Sequence, residues 1–367
     1  MSLDFPDPPP TGPPQWDASE GAWRITRRAD VIRILRSEPA PVAAAGGHVR
    51  RLAGRTTSYA ALADLLTDMP ILQNPPAHGA CRAWLKPIMQ DVAQRWSAAA
   101  LDIKAREVLD DIGPSGTLDA ASWLARALPE CVTAEVLGMD PEALEEAAEA
   151  QHQIMDGWWW ATPLRDYPGL EAKAASVRRL CDSHPLMGGS ETPPAAWATL
   201  AFLLIGAVTT AALIGNAIHV LAQRADLQVR LREAPGDVDA FVEECLRFCG
   251  AVKRVAPRSA ATALAIDGVE IAPGEMMVIR LDSSSRDPEA HDRPDVFDMD
   301  RSGPQPLAFS IGPHLCPGAF LGRLEARAMV RGLVERFRIL PGTEPSRIAE
   351  SRHFLMFDAL PIRLEPA

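Results

Sequence analysis

The longest apolar stretch of the chain covers residues 194–223 and contains no Asp, Glu, Lys or Arg. A helix of this length could cross a bilayer. Thr209, Thr210, Asn216 and His219 interrupt the stretch, however, and aromatic residues do not flank both of its ends as they flank a typical membrane span. A helix that is apolar on all sides is also typical of the interior of a large protein. We therefore predict a long, buried central helix in preference to a transmembrane one.

Shorter periodic patterns define the rest of the fold. Residues 90–180 and the stretch that follows Ala319 have helical periodicity, whereas residues 40–73 read as loop with one short helix at residues 60–66. Strand-like alternation is confined to short segments, namely residues 23–26, 266–271, 276–281 and 354–364. The pattern predicts a mainly α protein with a small β region.

The first fifteen residues differ in composition from the remainder of the chain. They contain six prolines, at positions 6, 8, 9, 10, 13 and 14, which is typical of an extended, poorly ordered segment. We predict a flexible Pro-rich arm at residues 1–15 and a single domain at residues 16–367.

Composition and charge exclude several classes of protein. The chain has 367 residues, 47% of them hydrophobic, and can bury a sizeable core. Its formal net charge of −11 argues against general nucleic-acid binding. No basic segment followed by an apolar one marks a signal peptide at the N-terminus. The six cysteines are scattered without metal-ligand spacing, which favours a protein of the reduced cytoplasm. Because the central helix is predicted to be buried, no association with a membrane is expected.

One of these cysteines, Cys316, stands in a Gly- and Pro-rich loop that leads directly into a helical pattern. The positive end of the helix dipole is expected to favour the thiolate, and a thiolate can ligate a soft metal centre such as a heme iron. A buried, unreactive cysteine in a turn is the alternative that the lone residue leaves open.

The spacing of this loop resembles the heme-binding loop of the cytochrome P-450 superfamily. The matching residues are Phe309, Gly312, His314, Cys316 and Gly318. The resemblance implies the cytochrome P-450 fold, with the long central helix over a heme b (iron protoporphyrin IX) and the cysteine loop beneath it. It also implies that Cys316 is the axial ligand of the iron and that residues 16–367 form a heme-thiolate catalytic domain. Pro317 has no N–H, so the sulfur lacks one possible backbone donor and should donate more strongly to iron.

Three further motifs extend the resemblance over residues 20–365. Glu244 and Arg247 match a buried structural ion pair of the family. His78 and Arg82 lie four residues apart on one helix face; together with Arg258 and His314, they match residues that bind heme propionates. Without the resemblance, a solvated helix face is the alternative for the His78/Arg82 pair.

The central helix matches the family's distal helix at Gly206, Thr209 and Thr210. The resemblance implies that these residues surround the oxygen-binding position and that Thr209 supplies a hydrogen bond or a proton there. The family's acid is replaced by Val208, which can neither donate nor relay a proton. An acid beside a hydroxyl is a natural relay, so the enzyme needs another proton source or another oxidant.

The substrate pocket is predicted to be apolar, with few charged groups. Candidate lining residues are Phe202, Ile205, Val208, Trp158 and Phe354. Trp158 opens a run of three tryptophans; neighbours on a helix point about 100° apart, so at least one is expected to face a pocket or a partner. The substrate is therefore expected to be a small apolar or aromatic molecule.

These features predict a monooxygenase that uses O2 and electrons from a ferredoxin-type donor, in a biosynthetic tailoring step. The donor is expected to dock on a basic stripe formed by Arg323, Arg327 and Arg331, unless these arginines are tied into internal salt bridges. Peroxide use, oxidative coupling or rearrangement is the alternative that Val208 favours. A catalytically silent relative is a further alternative, although such a relative would be expected to lack Cys316.

Overall fold

The computed structural model describes residues 3–36, 40–56, 59–113, 115–160, 162–190 and 192–367. Helices dominate this part of the chain, as predicted. They are α1 (Arg28–Leu35), α2 (Ala45–Thr56), α3 (Ala60–Asp68), α4 (Ala77–Arg95), α5 (Ala98–Asp110), α6 (Ala125–Leu137), α7 (Pro141–Gly157), α8 (Tyr167–Asp182), α9 (Ala196–Gln223), α10 (Ala225–Glu233), α11 (Val238–Cys249), α12 (Leu281–Ser285) and α13 (Ala319–Arg336).

The strands are short and form small sheets. They are β1 (Gln15–Asp17), β2 (Ala22–Ile25), β3 (Gly116–Asp119), β4 (Arg258–Ser259), β5 (Leu264–Ile266), β6 (Val269–Ile271), β7 (Met276–Ile279), β8 (Phe337–Pro341), β9 (Arg347–Ile348), β10 (Phe357–Ala359) and β11 (Pro361–Pro366). One sheet has the order β1-β2-β7-β4 and another β3-β11-β8, while β9 pairs with β10 and β5 with β6. Strand β2 is parallel to β7, so the beginning of the chain pairs with a segment that leads toward the Cys316 loop.

Helix α9 is the predicted central helix, and it packs against α6, α7, α8, α11 and α13. Among the described residues it is the one helix long and apolar enough to cross a membrane, but 61% of its most apolar window is buried inside the protein. Such burial is expected of a core helix. Asn216 is fully buried in α9, and its side-chain amide donates to the carbonyls of Cys249 and Leu355, so the polar interruption ties the helix to its surroundings.

Residues 45–56, predicted as loop, form helix α2 instead. Gly46 was interpreted as a loop residue, but it permits a close approach between α2 and α3. A Cβ atom at this position would lie 2.6 Å from the carbonyl oxygen of Ala63. The glycine therefore serves helix packing rather than a turn, which the local pattern does not reveal.

The N-terminal arm has no helix or strand between residue 3 and β1, as its prolines predict. It is nevertheless anchored: Leu3 is buried, and the ring of Phe5 lies 5.0 Å from that of His219, centroid to centroid. These contacts argue against free movement of the arm as a whole. The division of the chain at residue 15 stays a prediction.

The Glu244–Arg247 pair of α11 is buried, with Nη2 of Arg247 2.7 Å from a Glu244 carboxylate oxygen. Arg247 also donates to the carbonyls of Pro294 and Val296, and Glu244 accepts the amide of Asp298. The pair therefore fixes the irregular segment that precedes the Cys316 loop, in line with its predicted structural role.

Candidate functional site

A cavity of ≈ 280 Å³ lies between α9, α4, the Cys316 loop and the C-terminal segment. Most of its lining is apolar. The charged residues in the lining are Arg82, Arg254 and Glu325. The pocket is thus largely apolar as predicted, but the charges that it contains need a physical explanation.

Cys316 lines this cavity at the end of the loop that precedes α13. Its amide donates to the carbonyl of Phe309 (3.0 Å), which closes the loop, and the Gly318 amide is hydrogen-bonded to its sulfur. Burial raises the pKa of the thiol, although the Gly318 amide and the charges of Arg82 and Arg323 lower it. Burial of the free thiol therefore opposes the thiolate that the helix end is expected to favour. A metal that binds the sulfur would displace the proton in any case.

Gly312 and Gly318 have different roles in the loop. Gly312 has φ +72°, and a Cβ atom there would lie 2.7 Å from the carbonyl oxygen of Leu35, so this glycine lets the loop pack against α1. At Gly318 the nearest atom to such a Cβ is the Cys316 sulfur, at 4.0 Å. Open space therefore adjoins the sulfur.

The predicted propionate-binding residues come together beside Cys316. The rings of His78 and His314 lie 4.1 Å apart, centroid to centroid. Arg82 donates to the carbonyl of Leu315 (3.1 Å), and the charges of Arg82 and Arg258 both lower the pKa values of the two histidines. Burial is the largest cause of these shifts and brings the pKa of His314 to about 3. Both imidazoles are therefore neutral near pH 7.

These residues fit a heme with its propionates. Within the described residues, neither Arg82 nor Arg258 forms a salt bridge with an acid, and Nε of the buried Arg258 has no hydrogen-bond partner. A buried cation such as Arg258 is costly without an anion, so external carboxylates would complete the cluster. The described part of the chain offers no group of three or more His, Cys, Asp or Glu that could hold a metal ion by itself. A single-cysteine ligand therefore requires a metal that arrives with other ligands, as iron does in heme.

Helix α9 forms the opposite wall of the cavity through Gly206, Thr209 and Thr210. A Cβ atom at Gly206 would meet no atom within 4 Å, so the helix is open there. The Thr209 hydroxyl donates to the carbonyls of Ile205 and Gly206, at 3.2 and 3.3 Å. Thr210 lies against α13, where a Cβ atom at Gly322 would be 3.4 Å from its hydroxyl.

Four of the five predicted pocket residues line the cavity. These are Phe202, Ile205, Trp158 and Phe354. Val208 is not among the lining residues; it packs against a neighbouring apolar cluster that includes Leu204. Successive residues of a helix point in different directions, so Val208 faces away from the side on which Thr209 lies.

Sequence reasoning missed Arg254, Glu325 and His353 as lining residues. The tryptophan run at residues 158–160 was expected to help close the pocket, and Trp158 and Trp159 line it. Glu325 lies two residues from Arg323 and Arg327 in sequence, so it reads as part of a solvated charge pattern. Arg254 and His353 stand in irregular segments, where no periodicity indicates which way a side chain points.

The predicted basic stripe on α13 is not free. Arg323 pairs with Glu243 (2.6 Å), Arg327 with Asp239 (3.0 Å) and Arg331 with Asp102 (2.7 Å). The alternative of internal salt bridges therefore holds, and the stripe offers little unbalanced charge to an acidic partner.

Comparisons with known proteins agree with this geometry. The family model described as Cytochrome P450 matches residues 195–365. The chain is 30% identical over 300 residues to the biotin biosynthesis cytochrome P450 of Bacillus subtilis, covering 77% of this chain and 76% of that protein. It is 28% identical over 371 residues to the erythromycin C-12 hydroxylase of Saccharopolyspora erythraea, covering 93% of this chain and 88% of the hydroxylase.

Solved structures show the same likeness over nearly the whole chain. The crystal structure of P450BioI, in complex with an acyl carrier protein that carries hexadec-9Z-enoic acid, matches with a TM-score of 0.81 and 26% identity. The match covers 94% of this chain and 92% of that one. A mutant of P450 EryK in complex with erythromycin B matches with a TM-score of 0.78 and 25% identity, over 97% and 93% of the two chains.

Proposed function

Because the chain belongs to the cytochrome P450 family and is an oxidoreductase of the monooxygenase type, we propose that it oxidises an apolar or aromatic small molecule with O2 and electrons from a ferredoxin-type donor. The observation that carries this proposal is the position of Cys316 in the wall of a largely apolar cavity, beside Arg82 and Arg258, which have no acidic partner among the described residues. One cysteine and two unpaired cations suit a heme b that brings its own nitrogen ligands and carboxylates.

We assign the heme-binding roles as follows. Cys316 would ligate the heme iron, and the Gly318 amide would temper the charge on its sulfur. Arg82, Arg258 and the neutral imidazoles of His78 and His314 would bind the propionates, since all four are donors in one cluster, of which His78 and Arg258 are buried. Phe309 and Gly312 shape the loop. Bound in this way, heme supplies the activation of O2 for insertion into a C–H bond or ring.

On the distal side, the chain's own residues govern water and protons. Gly206 leaves room over the heme face, and Phe202, Ile205, Trp158 and Phe354 exclude water and hold the apolar body of the substrate. Thr209 is the proposed proton-handling residue, and its hydroxyl must turn from the Ile205 carbonyl before it can donate into the cavity. Thr210 has a supporting position against α13.

A second candidate function is heme-thiolate chemistry with peroxide, or a coupling or rearrangement. Two observations favour it. Val208 stands where the family has an acid, and the Thr209 hydroxyl is satisfied by helix carbonyls. Proton delivery to bound O2 therefore has no evident starting point at these two positions, whereas peroxide arrives already reduced and protonated.

The electron donor is proposed to dock near the Cys316 loop. Leu315, the residue before the proposed ligand, is 45% exposed, so part of this loop is accessible to a partner. A biosynthetic tailoring reaction is supported by the likeness to a biotin biosynthesis cytochrome P450 and to an erythromycin C-12 hydroxylase. We propose that residues 16–367 act as one catalytic domain in the cytoplasm.

A carbon monoxide difference spectrum of the dithionite-reduced, heme-loaded protein tests the central claim. The band typical of a thiolate-ligated heme is expected, and its absence from a heme-loaded, folded sample would overturn the proposal. Product formation with ferredoxin, reductase and O2 is then compared with product formation on hydrogen peroxide alone. Turnover on peroxide only would select the second candidate.

A further inference from the structure

Arg254 is the charged residue of the cavity lining that the heme-binding cluster leaves unexplained. It follows α11 in the segment that leads to β4, and its side chain is 1% exposed. Both carboxylate oxygens of Glu20 accept from the same nitrogen, Nη1, at 2.7 and 2.8 Å. The face of the guanidinium lies over the Trp159 ring, 4.4 Å from its centroid.

The other edge of this guanidinium has no partner. Nε and Nη2 are buried, and neither forms a hydrogen bond with any described residue. These two nitrogens carry parallel N–H bonds on one edge of the planar group, which is the geometry that a carboxylate accepts in a bidentate pair. A buried donor pair without an acceptor is costly, so the site is incomplete as it stands.

The electrostatic surroundings of Arg254 favour an added anion. Arg352 and Arg280 are the nearby groups whose charges oppose its own, and Glu20 is the acid that supports it. Arg280 is balanced by Asp282, and the charge of Asp156 acts on Lys253, whose ammonium donates to the carbonyl of Ser351. With Arg254 and Arg352, these four cations face three acids, which leaves one positive charge that a carboxylate would balance.

Arg254 is separate from the cluster assigned to the propionates. The charges that act on His78 and His314 are those of Arg82 and Arg258, with no contribution from Arg254. Its own neighbours are Trp159, beneath the guanidinium, and Arg352. The cavity lining that includes Arg254 also includes Trp159 of the tryptophan run and His353 and Phe354 of the C-terminal segment.

Resting on the proposed function, we propose that Arg254 is a specificity-determining residue that binds a carboxylate of the substrate through its Nε–H and Nη2–H edge. The substrate class is then a carboxylic acid with an apolar or aromatic body. Glu20 and Trp159 hold the guanidinium while this edge has no partner among the described residues, and the apolar lining receives the rest of the molecule. The carboxylate is a fixed anchor, which selects the carbon presented for oxidation.

The test measures binding of matched acids and amides by isothermal titration calorimetry to the heme-loaded protein. The probes are dodecanoate and 4-phenylbutyrate, each compared with its primary amide, which has a similar shape and no charge. The parent is expected to bind at least one acid roughly tenfold more tightly than its amide, since a bidentate charged pair replaces a single neutral contact. No preference for either acid, or no binding of either acid, would overturn the inference.

Three variants separate recognition from a structural role. Arg254→Lys keeps the charge but lacks the two-nitrogen edge, so acid affinity should fall roughly tenfold while amide affinity stays within about threefold. Glu20→Gln removes the known partner but keeps the edge, so acid affinity should hold or rise. Arg352→Gln removes one positive charge near Arg254 but at an exposed position, so it should lower acid affinity by less than about threefold. Equal losses of acid affinity in Arg254→Lys and Glu20→Gln would mean that Arg254 stabilises the local structure and does not bind the carboxylate.

The outcomes for this inference and for the proposed function are distinguishable. The carbon monoxide spectrum reports whether Cys316 ligates the heme iron. It should be the same in the parent and in all three variants. A normal spectrum without acid preference overturns the Arg254 assignment alone. An abnormal spectrum with a retained, Arg254-dependent acid preference overturns the heme-thiolate proposal and leaves the carboxylate site standing.

Discussion

The imidazole rings of His78 and His314 lie 4.1 Å apart, with an angle of 31° between their planes. Helix α4 contributes one ring and the loop before Cys316 the other. Because burial and the charges of Arg82 and Arg258 lower the pKa values of both, two neutral donors and two cations meet at one edge of the cavity. This contact joins the two halves of the proposed propionate site.

Arg258→Leu should weaken heme retention. Arg258 is buried without an acidic partner, so its removal should leave a propionate without a charged donor and reduce heme affinity roughly tenfold or more. Transfer of heme to excess apomyoglobin measures the effect. Arg336→Leu, which breaks an ion pair with Asp110 at a partly exposed position, is the matched control and should retain heme like the parent. Equal heme loss in the two variants would refute the assignment of Arg258.

Cys316→Ala should bind heme without the thiolate-type carbon monoxide spectrum, and it should remain largely folded because the side chain lies at a cavity wall rather than in the packed core. Cys81→Ala is the control, since Cys81 is a second cysteine in the cavity lining. Its spectrum should match that of the parent. A Cys316→Ala variant that kept the parent spectrum would show that another residue ligates the iron.

The sequence predicted the elements whose residues carry local signals. The Cys316 loop combines a cysteine with a Gly-rich turn and a helix start, and α9 is recognisable because thirty residues without Asp, Glu, Lys or Arg cannot be a solvated segment. The Glu244–Arg247 pair follows from spacing on one helix face. These features depend on residues close to one another in the chain.

Features set by contacts between distant segments were not predictable in this way. Arg254 gains its role from Glu20 and Trp159, which are far from it in sequence. The α13 arginines look like a basic stripe until their acids on other elements are known; Asp102 on α5 is one of them. Glu325 looks solvated in the sequence but is buried in the structure, because its burial depends on the segments that pack over α13.

Thr209→Val should lower product formation by roughly tenfold or more in O2-driven turnover and divert electrons to peroxide, because the cavity would lose its proposed proton-handling hydroxyl. The ratio of product to NADPH consumed measures coupling. A Thr209→Val variant with parental coupling would exclude Thr209 from proton handling.

Glu325 should make the stability of the protein depend on pH. Its side chain is 3% exposed and lines the cavity, and one of its carboxylate oxygens has no hydrogen-bond partner among the described residues. Burial raises the pKa of this carboxyl to about 8, from an ordinary value of 4.5. Between these two values the folded protein holds a proton that the unfolded chain releases.

The sign of the effect follows from that proton. The contribution of Glu325 to stability is complete below pH 4.5 and is lost progressively as the pH rises through about 8. Glu325→Gln cannot ionise, so it should be more stable than the parent by a few kcal/mol at pH 8.5, and the difference should shrink toward zero near pH 5. Urea unfolding of the heme-loaded proteins at pH 5, 6.5 and 8.5 measures the difference.

The control is Glu335→Gln, an exposed position on the same helix, for which the difference from the parent should be small at every pH. If Glu325→Gln differed from the parent by the same amount at all three pH values, packing or a hydrogen bond to the amide would be responsible, and Glu325 would be ionised throughout.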